Sequence, residues 1–355
     1  MNIVRQHQPI ARSEITELTS LSQQSVHRII ERLTCRKFLA SKKAVVSGRG
    51  KPSPRIVLDE ASSVSFGISV RTDKVEFVAC NLSGDELKMA SLEVDPNDRE
   101  GVLSELNAIM SRWLTSKEFE CRFPIGVGVA MQGYRTNQQN SFTTPDPIQN
   151  WSRVPVDLKV SSSLGLVSFT ENNATCAAIA ELHCGGGQKH KSLAYLSFNY
   201  GFGGGIIWEN HAVLGGFGNA GELGNLFTEN EMKHRPALGE LVVQLKSRGV
   251  KLEGIHDLLK NFDPFWPGVD EWLNDIAPML NMTIRAIRAI LDPEAIYFGG
   301  EAPDRLRDML IDKCNLPVAN KFGEKMPFPA LLPSLLAGDA AARGAAILPT
   351  RQLIF

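Results

Sequence analysis

The apolar positions of this 355-residue chain change period along its length. Near the start they fall at helical spacing. Ile15 and Leu18 form one apolar edge, Leu21 sits in a turn, and Ser22 is placed to cap the next helix. Val26, Ile29, Ile30 and Leu33 then recur at i, i+3, i+4 and i+7, which predicts a second short helix with one buried stripe. Its opposite face carries Gln23, Gln24, His27, Arg28 and Glu31. The stretch "ASKKAVVSGRGKPSPRIVLDE" then predicts a strand, a Gly/Pro-rich turn and a second strand. The chain opens with "MNIVRQHQPI", so a helix before this pair is expected to be very short or clipped.

After residue 60 the pattern becomes mixed. "VSFGISVR", "KVEFVACN" and "ELKMASLEV" predict a strand meander with "LSGDE" as one turn. A helix over about residues 102–114 comes next, then the strand "PIGVGVA", a helix near residues 155–164, and the strand "LVSFTE". "LAYLSFNYGFGGGIIWE" predicts a strand, a glycine turn and a strand. A long helix ("VDEWLNDIAPMLNMTIRAIRAIL"), the strand "EAIYFGG", another helix and a closing "GDAAARGAAIL" helix complete the chain. Alternating strands and helices after a meander predict an α/β fold with mixed sheets. A meander at the start of each half, with glycine turns, resembles the two-lobed actin-like, sugar-kinase-like (ribonuclease H-like) architecture.

Charge sharpens the division. Residues 1–55 hold eleven Lys/Arg against three Asp/Glu, so the rest carries −9 within a whole-chain charge of −1. A basic head on an acidic body fits a nucleic-acid-binding module joined to a different kind of domain, although a solvated basic face is the plain alternative. Gln bonds adenine edges and Arg bonds guanine or phosphate. Gln23, Gln24, His27 and Arg28 on one helix face therefore fit a helix-turn-helix with its second helix in a major groove. Arg49, flanked by glycines, and Lys51 could reach a minor groove from a winged hairpin, or could belong to a basic linker. Hydrophobic residues make up 43% and charged residues 22%, with no run long enough to span a membrane and no signal-peptide pattern. The six cysteines form no CxxC pair, and the expected location is cytoplasmic, with reduced thiols.

Five stretches resemble the ROK family, which groups sugar-responsive transcriptional repressors with sugar kinases. They are the head with its "GRGKP"; "GVGVAMQG" at residues 126–133; "NWSRVPVDLKVSSSLGLVSFTENNATCAA" at 150–178; "GFGGGIIWENHAVLGGFGNAGELGN" at 201–225; and "DPEAIYFGG" at 292–300. The resemblance implies a winged helix-turn-helix over residues 1–58. A first lobe would span 59–184, completed by 338–355, and a second lobe 185–337.

In kinases of the family the strand-tip motif reads E-N-D-A, with an Asn on a sugar hydroxyl and an Asp as the base. Here Asn172 matches the Asn, and Asn173 replaces the Asp. An amide cannot take up a proton near neutral pH. The family's D-x-G-G-T hairpin corresponds to "GISVRTDKV", with Ser69 for the Asp and Arg71 and Thr72 where glycines would admit phosphates. No catalytic residue and no cofactor are expected. Carboxylates and amides bonding pairs of hydroxyls recognise sugars, and the resemblance implies such roles for Asn172, Asn173, Glu222, Asn225 and Glu240. The plain readings are a helix cap for Asn173, a turn or surface carboxylate for Glu222 and a solvated helix position for Glu240. Many relatives carry a His/Cys₃ zinc cluster; here Asn225 takes the His position, the stretch after it lacks cysteine, and no structural metal is expected.

The expected function is a transcriptional regulator, in the manner of a repressor of carbohydrate genes. It would bind a DNA operator and a sugar or sugar-phosphate effector without phosphorylating it, as a homodimer or homotetramer away from membranes. The alternatives are an active sugar kinase with a DNA-binding head, and a regulator controlled by a protein partner.

Overall fold

The computed structural model describes residues 1–42, 54–136, 140–316, 322–336 and 338–355. The chain begins with α1 (Asn2–His7), β1 (Ile10–Ala11), α2 (Arg12–Glu17) and α3 (Gln23–Cys35), followed by β2 (Leu39–Lys42) and β3 (Arg55–Leu58). The short first helix is present. The Ser22 side chain accepts from the Ser25 amide at 3.3 Å and so caps α3. The three strands form an antiparallel sheet in the order β1-β3-β2, with Leu39 opposite Leu58. Arg49 and Lys51 lie outside the described residues.

Val4, Ile10, Ile15, Val26, Ile30, Leu39, Ile56 and Leu58 fill the core of this head. Two expectations fail here. Ile29 is 41% exposed and Leu18 is 51% exposed. Ile29 sits about 60° around α3 from Val26, beyond the strip that the small head covers. The head core also takes in Leu82 and Ile125 from the body and the C-terminal Ile354 and Phe355.

The body continues with β4 (Ser63–Val70), β5 (Val75–Cys80), β6 (Glu86–Ser91), α4 (Arg99–Leu114) and β7 (Phe123–Met131). A small hairpin, β8 (Tyr134–Arg135) and β9 (Phe142–Thr143), leads to α5 (Val156–Leu164), β10 (Ser168–Asn172) and α6 (Asn173–Cys184). Then come β11 (Leu193–Phe198), β12 (Phe202–Trp208), β13 (His211–Ala212), α7 (Leu238–Ser247), α8 (Ile255–Asn261) and α9 (Val269–Leu291). The last elements are β14 (Ala295–Gly300), α10 (Asp304–Asp312), β15 (Ala330–Pro333) and α11 (Ala340–Leu353).

Two five-stranded mixed sheets result, ordered β10-β7-β4-β5-β6 and β13-β12-β11-β14-β15. Every residue of β4 and β5 is buried, because helices cover both faces, so these strands show continuous apolar runs rather than alternation. Helices α4 and α5 cover the outer face of the first sheet, and α7, α9 and α10 that of the second. Between the sheets lie α6 and α11, rich in alanine and glycine. Small residues are required there. A Cβ on Gly128 would stand 1.8 Å from the Ala345 carbonyl oxygen, and one on Gly344 would stand 1.7 Å from that of Cys176. No helix among the described residues is long and apolar enough to cross a membrane.

Candidate functional site

Strand β10 lies parallel to β7 with Asn172 opposite Met131, which delivers Asn172 to the sheet edge where α6 begins. Asn172 is the cap of that helix. Its Oδ1 accepts from the amides of Ala174 at 2.8 Å and Thr175 at 3.4 Å. Its Nδ2 donates to Glu222 Oε1 at 2.9 Å and to the Gly133 carbonyl at 3.3 Å. The neighbouring Asn173 Oδ1 also reaches the Ala174 amide, at 2.9 Å. One amide thus ends a helix and holds a carboxylate from a distant loop.

The acid that precedes them is locked. Glu171 is buried and accepts from Arg135 at 2.8 Å, and Arg135 also donates to Asn140 and to the Thr170 carbonyl. Arg135 exchanges two backbone hydrogen bonds with the Asn219 side chain, at 2.7 and 3.0 Å. These bonds tie the loop carrying Glu222 to the first lobe, so side-chain hydrogen bonding orders a loop for which the sequence offered no metal cluster. Among the described residues no three His, Cys, Asp or Glu side chains group closely enough to hold a metal ion.

Asn172, Asn173 and Glu222 line a cavity of about 750 Å³ together with Gly133, Asn199, Tyr200, His256 and Glu301. Asn225 and Glu240 are not part of that lining: Asn225 is exposed, and Glu240 pairs with Arg235 at 3.1 Å. Glu222 is half-buried, and burial pushes its carboxyl up to about 7.

The opposite wall is a feature that the sequence marked only as too bulky for a triphosphate. Arg71 comes directly after β4 and points across the cleft. Its guanidinium bonds both oxygens of Asp73, at 3.1 and 2.9 Å, and Glu301 Oε1 at 2.5 Å. Asp339, whose side chain caps α11, lies 3.8 Å away. Burial opposes the positive charge of Arg71, but Glu301, Asp339 and Asp73 outweigh it, so the guanidinium holds its proton more tightly than usual. Ser69, at the place of the missing acid, is fully buried in β4. Nothing in the sequence near Arg71 announces Glu301 as its partner, because 230 positions separate them.

In the head, Gln23, Gln24, His27 and Arg28 are all exposed on α3. Arg12 donates to His27 Nδ1 at 2.7 Å, and His27 Nε2 stands 3.0 Å from Glu31. A guanidinium can only donate, so Nδ1 accepts and Nε2 carries the hydrogen toward Glu31. Arg12, Ser13 and Thr16 of α2 border a shallow surface pocket with Gln23, Gln24 and His27. Sequence reasoning had passed over Arg12.

The ROK family profile matches residues 65–239. The xylose repressor of Bacillus subtilis (strain 168) is 23% identical over 223 residues, which are 63% of this chain and 58% of the relative. The chain thus spans less than two thirds of that protein's length. A solved ROK family transcriptional regulator, described as a homolog of the E. coli MLC protein, superposes with a TM-score of 0.76 at 18% identity, covering 98% of this chain and 93% of the other. A ROK family glucokinase from Streptomyces griseus, solved with glucose and AMPPNP, gives 0.64 at 21% identity, covering 81% and 99%.

Proposed function

Residues 65–239 form a ROK family domain, and from that premise we propose that the chain is a sugar-responsive, DNA-binding repressor whose kinase-like body holds its effector without converting it. The observation that carries this reading is the Arg71–Glu301 pair, which stands between the 750 Å³ cavity and a neighbouring one, with Arg71 on the hairpin where glycines would have to admit a nucleotide's phosphates. The amide of Asn173 agrees with it, since position 173 itself offers no ionisable base. The cavity itself suits a hydroxyl-rich guest. Asn172, Asn173 and Glu222 offer donors and acceptors side by side, and sugars are selected by such pairs. The relative named as a xylose repressor points the same way.

The head is a winged helix-turn-helix in this reading. Helix α3 presents Gln23, Gln24, His27 and Arg28 to a major groove, and β2 and β3 form the base of the wing, to which Arg49 and Lys51 would belong. Half-sites of a dimer lie about 34–36 Å apart, so a small change in head position alters affinity for the whole operator.

Helix α11 supplies a route between the two ends. Its first turn is capped by Asp339 beside Arg71, and its last residues reach the head. Asn2 Nδ2 donates to the Phe355 carbonyl at 3.2 Å, and the Arg5 guanidinium lies 5.7 Å from the centre of the Phe355 ring. A guest that moves the Arg71 wall therefore moves a buried rod that touches the head.

The test is operator affinity of the full chain, by fluorescence anisotropy, with and without xylose, glucose and N-acetylglucosamine, beside an ADP-release assay with ATP and the same sugars. The expected result is a sugar-dependent change of at least about fivefold in DNA affinity and no ADP above background. Sugar-dependent ADP release, or equal affinity under every sugar, overturns the reading.

A further inference from the structure

An arginine in a sugar cleft invites the conclusion that it anchors a phosphate. The surroundings of Arg71 point the other way. Among the described residues lining the 750 Å³ cavity, Arg71 is the one lysine or arginine, and it stands among Asp73, Glu222 and Glu301. The donors on Nε and on one terminal nitrogen are already committed, and the other terminal nitrogen faces Asp339. Asp73 takes two of them in a forked pair and Glu301 takes another, while Asp339 stands behind at 3.8 Å. The side chains of Arg71, Glu301 and Asp339 are 12%, 17% and 9% exposed, so water screens these three poorly, whereas Asp73 is half exposed. Lys74 and Arg307, which line the neighbouring cavity with Asp339, are paired with Glu76 and Asp304, so three carboxylates against the Arg71 guanidinium leave the wall negative even with a full positive charge on Arg71.

An anionic group arriving here has two options, and both are unfavourable. It can displace Glu301 from Arg71, leaving a poorly solvated carboxylate unpaired, or displace the more exposed Asp73 and still face Glu301 and Asp339. It can instead sit beside those carboxylates without a cation of its own. Like-charge contacts and stranded charges are how a site rejects a near-identical ligand. A hydroxyl meets neither penalty, because it donates to a carboxylate and accepts from an amide.

We propose that Asp73 and Glu301, by pairing with Arg71 and outnumbering its charge together with Asp339, make the cleft selective for an unphosphorylated, uncharged sugar and exclude its phosphate ester. This rests on the sugar-binding reading above and narrows the class of guest that it admits. Arg71 acts here as the clasp that keeps the two carboxylates in place and takes no part in binding an anion.

Isothermal titration of the full chain decides it, with three probe pairs: glucose against glucose 6-phosphate, N-acetylglucosamine against its 6-phosphate, and xylose against its 5-phosphate. The free sugar of at least one pair is expected to bind at least about tenfold more tightly than its ester. In the double variant Asp73→Asn, Glu301→Gln, the freed Arg71 should raise affinity for the ester, so the ratio shrinks or inverts. Should that variant fail to fold, the wild-type chain still tests the idea through salt. Repulsion from an acidic wall predicts ester binding that strengthens with ionic strength, while an arginine-anchored ester weakens. Ester binding equal to or tighter than the free sugar, an unchanged ratio in the variant, or salt-weakened ester binding each overturns the proposal and leaves the sugar-binding reading intact. Absence of binding by all six probes overturns that reading, and this inference with it.

Discussion

Replacing Glu222 by Gln should change how stability depends on pH, with a sign fixed by the structure. Burial raises the carboxyl from its ordinary 4.5 to about 7 in the folded chain. A raised carboxyl favours the folded state when protonated. Below pH 4.5 both folded and unfolded chains carry the proton, and this contribution is fully present. As pH rises from there toward 7, the unfolded chain ionises first and stability falls, levelling off above about pH 8. The shift of about 2.5 units corresponds to about 3.4 kcal/mol, and partial exposure of the side chain reduces this to roughly 2–3 kcal/mol. Glutamine keeps an acceptor for the Asn172 Nδ2 but cannot ionise. Urea unfolding of both chains at half-unit steps from pH 4.5 to 8.5 gives the difference curve. Burial also raises Glu181 and Glu301, but they titrate in both chains and cancel. Wild-type stability should lose roughly 2–3 kcal/mol relative to Glu222→Gln across the range. A flat difference, or one that rises with pH, refutes the assignment of a buried, protonated Glu222.

The packing of α11 sets two further outcomes. Gly344→Ala should cost about 3 kcal/mol or more in thermal or urea unfolding, because its Cβ would meet the Cys176 carbonyl at 1.7 Å and neither backbone can yield freely. Gly165→Ala, at φ +68° with open space around it, is the contrasting control and should cost only about 1–2 kcal/mol. Phe355→Ala should leave operator affinity measurable while cutting the sugar-dependent change in it by at least about half. Anisotropy titrations with and without sugar read this directly, and an undiminished sugar response removes α11 from the route.

Much of the element order could be read from local pattern. Ser22 before an i, i+3, i+4, i+7 stripe marked the start of α3, and the apolar runs of β4, β5, β7, β10 and β14 marked their strands. The tip of β10 stood out for the same reason, since polar side chains after an apolar run signal a strand leaving the core at a helix start. Which asparagine caps was less clear. The sequence offered Asn173 for that duty, whereas Asn172 is the cap residue and also grips Glu222. Both share in satisfying the Ala174 amide, which spacing alone could not apportion.

By itself the sequence determined what depends on neighbours a few positions apart: helical and strand periods, the cap, the basic head, and the absence of an ionisable side chain at position 173. Tertiary structure decided the rest. It set Arg71 against Glu301, joined Asn219 to Arg135, turned Glu240 toward Arg235, and ran α11 from the cleft to the head. The reason is physical. Periodicity records which face of an element is buried, whereas an ion pair between strand ends 230 positions apart exists only once two sheets have packed and their register is fixed.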